Sequence, residues 1–171
     1  ICRAVETGMP LIERVVTVSG KGIKEPKNLL VRIGTSFEDV INQCGGIVGQ
    51  PDRIISGGPM MGIAQYTTAV PVTKGTSGIL VLTEEEVKSP KPNPCIRCGK
   101  CVQACPINLM PLFISAHALR EDYDATEKLH VLDCIECGSC SFVCPSRRPL
   151  RQSIQVAKKE VISKRKRSAS K

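Results

Sequence analysis

Two stretches of the chain carry cysteines at a spacing that can do chemistry. CIRCGKCVQACP runs from Cys95 to Pro106, and CIECGSCSFVCP repeats it from Cys134 to Pro145, 39 positions later. Each is C-x2-C-x2-C-x3-C-P. A structural zinc site takes two ligands from one short loop and two from a dozen or more residues away. Four cysteines in one run, closed by proline, match the bacterial [4Fe–4S] signature instead. The reason is the shape of the group. A cubane has iron at four corners, three closely spaced thiolates on a tight loop can cap three of them, and the fourth ligand must come from elsewhere. In two-cluster ferredoxins the fourth cysteine of each run serves the other cluster. On that pattern Cys95, Cys98, Cys101 and Cys144 hold one cluster, and Cys134, Cys137, Cys140 and Cys105 hold the other. The 28 residues between Cys105 and Cys134 leave room for each run to find a different fourth ligand. Zinc and disulfides are the competing uses of these thiols, although no secretory signal favours a disulfide framework.

Residues beside the ligands have expected roles of their own. Gly99 and Gly138 stand at matching places, where backbone amides can approach sulfur and tune a cluster. Arg97, Lys100, Arg147 and Arg148 can offset the negative charge of thiolate-bound clusters, or they are ordinary surface charges. His117 and His130 are not expected to be ligands, since eight cysteines already supply eight positions. Cys2 and Cys44 are expected to be small buried hydrophobes. No nucleophile–base pair or paired carboxylates stand out, so no catalytic residue is assigned.

The elements that must position these loops fall into two groups. Residues 1–11 read as the remnant of a preceding helix and its exit. IERVVTVSG, from Ile12, and NLLVRI, from Asn28, read as paired strands about a Gly turn. TSFEDVINQCGG reads as a helix capped by Thr35, with Glu38 three residues on, and ended by Gly45 and Gly46. DRIIS and SGILVLT read as further strands. GGPMMG (57–62) lacks the spacing of a dinucleotide fingerprint and reads as a tight turn or a ligand- or partner-contacting loop, with Met60 and Met61 packing inward. The order gives a small β-grasp-like domain over 12–88.

SPKPNP (89–94) has three prolines in six residues and reads as a linker. A mainly helical two-cluster domain follows over 95–162. Between the runs, Leu109, Leu112, Phe113, Ala116 and Leu119 fall at helical spacing; Asp124, with Glu127 three residues on, is the expected cap of a second helix. Leu150, Ile154, Ala157 and Val161 form another helical stripe. The fold class is therefore α+β.

Composition narrows the function. The 171 residues carry a net charge of +8. Ten Lys or Arg against one acid, Glu160, lie between Arg147 and Lys171, so the basicity belongs to the C-terminus. Residues 163–171 read as a basic tail, solvated or held against an anionic membrane or acidic partner. Aromatic residues make up only 3% of the chain, which argues against a nucleic-acid platform. No apolar run approaches the roughly 20 residues of a membrane-spanning helix. The start at Ile1 reads as the start of a fragment.

IERVVTVSGKGIKEPKNLLVRIGTSFEDVI, SGGPMMGIAQYTTAVPVTKGTSGILVL and the two cysteine runs, in this order, closely resemble the C subunit of the Rnf electron-transport complex. That complex is an ion-translocating ferredoxin:NAD⁺ oxidoreductase of bacterial membranes. The resemblance covers about Pro10 to Val161. It implies an SLBB domain of β-grasp type followed by a dicluster ferredoxin domain, with two [4Fe–4S] clusters on the eight cysteines named above. It places FMN and NAD in an N-terminal region outside these residues. It implies an electron relay without a catalytic site of its own, working with other subunits of a membrane redox complex and a ferredoxin-type partner. The expected place is the cytoplasmic side of the cell membrane, peripherally bound. Two alternatives are a cobalamin reductase-type iron–sulfur flavoprotein of a bacterial microcompartment, and a small-ligand-binding module in which the clusters are structural.

Overall fold

The computed structural model describes residues 2–87 and 91–169. The chain divides into two compact units, Ile1–Ser89 and Pro90–Lys171. Ser89 and Pro90 of the expected linker lie outside the described residues.

The first unit opens with a short helix, α1 (Cys2–Thr7). Five strands follow: β1 (Glu13–Ser19), β2 (Lys27–Arg32), β3 (Pro51–Ser56), β4 (Ile63–Gln65) and β5 (Gly78–Thr83). Their order in the sheet is β2-β1-β5-β3-β4. β1 and β2 form an antiparallel hairpin, while β5 runs parallel to β1 at the centre and antiparallel to β3. Together with the helix α2 (Phe37–Gln43), this is the β-grasp arrangement expected from the order of elements.

Period-two alternation decides which face is buried. Val16 and Val18 of β1 are fully buried, whereas Val15 beside them and its cross-strand partner Leu30 are exposed. Phe37, Val40 and Ile41 lie at helical spacing on α2 and complete one core with Val16, Val18, Val31, Ile79 and Val81. α2 is capped one residue later than expected. The Ser36 hydroxyl, not that of Thr35, accepts from Asp39 N at 3.1 Å, and it donates to the Asp39 carboxylate at 2.6 Å. Both residues are competent caps; the extended backbone of Ser36 selects it.

β4, which pairs with β3 over three residues, has no matching sequence signal. The 57–62 loop folds back so tightly that a Cβ on Gly62 would lie 2.3 Å from the Ile55 side chain. Met60 and Met61 are exposed on it and do not point into the core. A short helix, α3 (Glu84–Val87), ends the described part of this unit.

The second unit is helical. α4 (Lys100–Gln103) and α7 (Ser139–Phe142) sit inside the two cysteine runs. Between them come α5 (Pro111–Ala118), α6 (Tyr123–Lys128) and a 3₁₀ turn at Val131–Asp133. α8 (Leu150–Ala169) closes the chain. Its stripe Leu150, Ile154, Ala157 and Val161 is buried as the spacing predicts. Ile154, Ala157 and Val161 join Leu109, Ile114, Ala118 and Val131 in a second core.

Three expectations change in this unit. The buried face of α5 is Pro111, Ile114, Ser115 and Ala118, while Phe113 and Leu119 are exposed. PLFISAHA is apolar nearly all round, so its sequence gives little direction to the buried side. The cap of α6 is Asp122, whose carboxylate accepts from Ala125 N at 3.1 Å, not Asp124. Asp124 is engaged by Lys164 instead. Residues 163–169 are not a frayed tail, because α8 continues through them to Ala169 and Arg165 pairs with Glu127 of α6 at 2.6 Å. Ser170 and Lys171 lie outside the described residues.

Candidate functional site

The two cysteine runs share one backbone. Arg97 and Glu136, at the same place in each run, have φ of 53° and 57°. Gly99 and Gly138 follow at 77° and 83°, and Asn108 and Arg147 at 56° and 50°. Three left-handed positions thus recur with the 39-residue period. Each costs a non-glycine residue of order 1–3 kcal/mol, so a repeated set signals a geometry the loop requires. That geometry turns amides toward sulfur. Arg97 N donates to Cys95 Sγ at 3.4 Å, and Glu136 N donates to Cys134 Sγ at 3.4 Å. Leu109 N donates to Cys105 Sγ at 3.3 Å. Hydrogen bonds of this kind stabilise thiolate over thiol and set the potential of an iron–sulfur group.

The eight cysteines line two cavities. The first is lined by Cys95, Cys98, Cys101 and Cys144. The second is lined by Cys105, Cys134, Cys137 and Cys140. Each run therefore gives three thiols to one cavity and its last thiol to the other. α5 and α8 pass both cavities: Leu112 and Leu150 line the first, Ile114 and Ile154 the second. Among the described residues no three His, Cys, Asp or Glu side chains converge as ligands of one metal ion. Four thiols set around a cavity, with apolar walls and amides aimed at sulfur, fit a polynuclear iron–sulfur group and not a single zinc.

Burial acts on these thiols unequally. Cys140 is pushed up to about 11, chiefly by desolvation. Cys101 and Cys134 are also raised by burial. Cys137 is lowered, first by its hydrogen bond to the Ser139 hydroxyl. A metal must displace the remaining protons as it binds.

The expected cations divide. Arg97 and Arg148 line the first cavity; Lys100 starts α4 and Arg147 stands exposed beside the second run. Two cations that sequence reading missed belong to the second cavity. Arg151 lines it and donates from Nε to the Glu136 carbonyl at 3.0 Å. Lys158 donates to the Cys134 carbonyl at 2.6 Å and pairs with the Glu136 carboxylate at 3.8 Å. Both lie on α8, seven residues apart and adjacent to its buried stripe, a spacing that could have singled them out.

His117 contacts Asp122 and His130 faces Asp133, and neither lines a cysteine cavity. Cys44 is buried in the core of the first unit, which raises its thiol, whereas Cys2 is exposed, contrary to expectation. A groove beside the 57–62 loop is lined by Thr17, Ser19, Gly57, Pro59, Ser77 and neighbours, with no charged side chain. No helix among the described residues is long and apolar enough to cross a membrane.

Comparison with known proteins gives two family matches. The SLBB domain matches residues 15–64, and the 4Fe–4S dicluster domain matches residues 94–148. The second unit is thus a domain for two [4Fe–4S] clusters. The chain is 50% identical over 167 residues to the C subunit of the Na(+)-translocating ferredoxin:NAD(+) oxidoreductase complex of Acetobacterium woodii, covering 98% of this chain and 38% of that protein. It is 48% identical over 155 residues to the C subunit of the ion-translocating oxidoreductase complex of Rhodobacter capsulatus, covering 91% of this chain and 30% of the relative. With that of Methanosarcina acetivorans it shares 41% identity over 162 residues, 95% of this chain and 36% of the relative. The chain spans about a third of the length of these curated relatives. Over its SLBB and dicluster domains, the chain is similar to the C subunits of ion-translocating oxidoreductase complexes.

Proposed function

We propose that this chain is the electron-relaying part of a C subunit of a membrane-associated, ion-translocating ferredoxin:NAD⁺ oxidoreductase. The observation that carries the reading is the exchange of one thiol between two cysteine-lined cavities. In this reading Cys95, Cys98, Cys101 and Cys144 hold one [4Fe–4S] cluster, and Cys134, Cys137, Cys140 and Cys105 hold the other. Such clusters, when bound, accept and release single electrons. The chain's own work is to position and to tune. The left-handed residues aim amides at sulfur, Pro106 and Pro145 redirect the chain after the last thiol of each run, and the shared helices α5 and α8 keep the two sites adjacent. Adjacency is what a relay needs, and crossed ligation enforces it.

Flavin and nicotinamide sites are assigned outside these residues. The partners are the other subunits of the complex and a ferredoxin-type carrier, with the basic end of α8 available to an anionic membrane surface on the cytoplasmic side. The cobalamin-reductase and ligand-module alternatives have no observation in their favour: the relatives named above are oxidoreductase subunits, and the groove on the sheet unit offers no charged group.

The test is anaerobic reconstitution of the full chain with iron and sulfide. About eight irons per chain and two reducible signals are expected. Crossing makes a sharper demand. Cys105→Ser and Cys140→Ser should leave the same residual spectrum, and Cys101→Ser and Cys144→Ser should share a different one. If Cys105→Ser instead matches Cys101→Ser, each run holds its own cluster and the crossed assignment is wrong.

A further inference from the structure

The twin loops have the same backbone but not the same surroundings. In the second loop Cys134 and Cys137 are half-buried and Gly138 is buried. Its carbonyls are held from α8, by Lys158 at Cys134 and by Arg151 at Glu136. In the first loop Cys95 and Cys98 are both exposed, and Ile96 between them is 67% exposed. The charges differ in the same sense. The charged residue between the first two cysteines is Arg97 in one loop and Glu136 in the other. Arg97 and Arg148 line the first cavity, with Lys100 and Arg147 nearby in sequence. No Asp or Glu occurs between Lys91 and Arg120, or between Cys137 and Lys159. The second cavity carries Glu136 in its lining, with Asp133 close by in the chain.

We propose that the exposed Cys95–Gly99 loop, with Arg97 and Arg148 around Ile96, is the docking face for an acidic electron-carrier protein, so that the site of Cys95, Cys98, Cys101 and Cys144 is the one that exchanges electrons with that carrier. An exposed apolar residue beside two arginines that line the same cavity has the composition of an interface centre, and their positive charge steers and orients a partner of opposite sign. Two exposed ligand cysteines place the first site within a short reach of whatever docks there, while the cysteines of the second loop are half-buried and its carbonyls are held from α8, although Ile135 is itself 54% exposed. The exchange moves one electron: the carrier's centre is oxidised by one as the first site's cluster is reduced by one, and no proton is required. The assignment rests on the relay reading above.

The test compares Arg97→Glu/Arg148→Glu with Lys159→Glu/Lys166→Glu, an equal charge change on exposed positions of α8. Glutamate at position 97 is compatible with the loop, because Glu136 holds nearly the same φ in the twin. In the reconstituted full chain, binding of an oxidised acidic [2Fe–2S] ferredoxin is measured by calorimetry at low and high salt. The loop variant should bind at least tenfold more weakly at low salt, with the gap closing at high salt, and the α8 variant should stay within twofold of the unaltered chain. Electron transfer from the reduced ferredoxin should slow in step. Equal weakening by both variants overturns the proposal in favour of net charge alone. A changed cluster potential with salt-independent binding assigns the arginines to neutralising the bound group instead. Loss of binding to vesicles of anionic lipid, with ferredoxin binding intact, assigns the face to a membrane. If the unaltered chain takes up no reducible iron, the relay reading itself falls. If it does and the loop variant still binds normally, only the docking face falls.

Discussion

In residues 2–87 the side chains of α2 meet those of β1, β2 and β5 and fill the space between them. In residues 91–169 the core formed by α5 and α8 is smaller, and the twin loops surround cavities lined with thiols as well as apolar side chains. The first unit is therefore stabilised chiefly by the burial of this apolar core. The second joins a smaller apolar core to two thiol-lined sites, and a group bound by those thiols would add its binding energy to the stability of the unit. The two regions share a chain but depend on different sources of stability, and that difference can be attacked experimentally.

The largest effect is expected from stripping iron with a chelator under reducing conditions. Amide exchange across 91–169 should lose most of its protection, while 2–87 keeps its own. Equal loss in both units would mean that the sheet unit also depends on the metal sites.

Gly20→Ala probes the opposite dependence. Gly20 has φ of 113°, and an added Cβ would lie 2.0 Å from the Val81 carbonyl oxygen. Strain of about 1–3 kcal/mol for the backbone, with a similar amount for the overlap, should lower the denaturation free energy of the sheet unit by about 4 kcal/mol. The iron content of the second unit should not change.

Lys158→Met sharpens the contrast within the second unit. It removes the donor to Cys134 O and leaves the partly buried Glu136 carboxylate without its nearby ammonium group. One of the two clusters should then release iron to a chelator roughly tenfold faster, corresponding to a cost of about 1.4 kcal/mol, and Lys158→Arg should recover most of the loss. Uniform acceleration of both clusters would deny the residue a local role.

The smallest effects belong to the caps. Ser36→Ala should cost the sheet unit about 1 kcal/mol in denaturant melts. At the other cap, the Asp122 carboxyl is held below its ordinary value of 3.8, first by the Ala125 amide and then by His117. A lowered carboxyl stabilises fully above that value, and its contribution fades as pH falls below it. The difference in melting temperature between Asp122→Ala and the unaltered chain should therefore shrink on acidification below pH 3.8.

Much of this arrangement was legible in the residues. Alternation in β1, the spacing of Phe37, Val40 and Ile41, and the stripe from Leu150 to Val161 each bury the side that their period predicts. The misses have local reasons. Thr35 and Ser36, like Asp122 and Asp124, are neighbouring cap candidates, and the backbone chooses between them. β4 has three residues and takes its structure from its pairing with β3. α5 is too evenly apolar to declare a buried face. Lys158 and Arg151 look like surface cations until α8 brings them across the second loop.

The sequence by itself determined that there are two cysteine runs of one design, that the chain joins a sheet unit to a helical one, and that positive charge gathers toward the C-terminus. These are properties of spacing and composition, written within a dozen or so residues at a time. Only the tertiary structure decided which thiols face one cavity, that the carbonyls of one twin loop are held from α8 while the cysteines of the other are exposed, and which cations touch which loop. Those facts depend on contacts between residues that are distant along the chain, and such contacts are fixed by how helices pack, not by any local pattern.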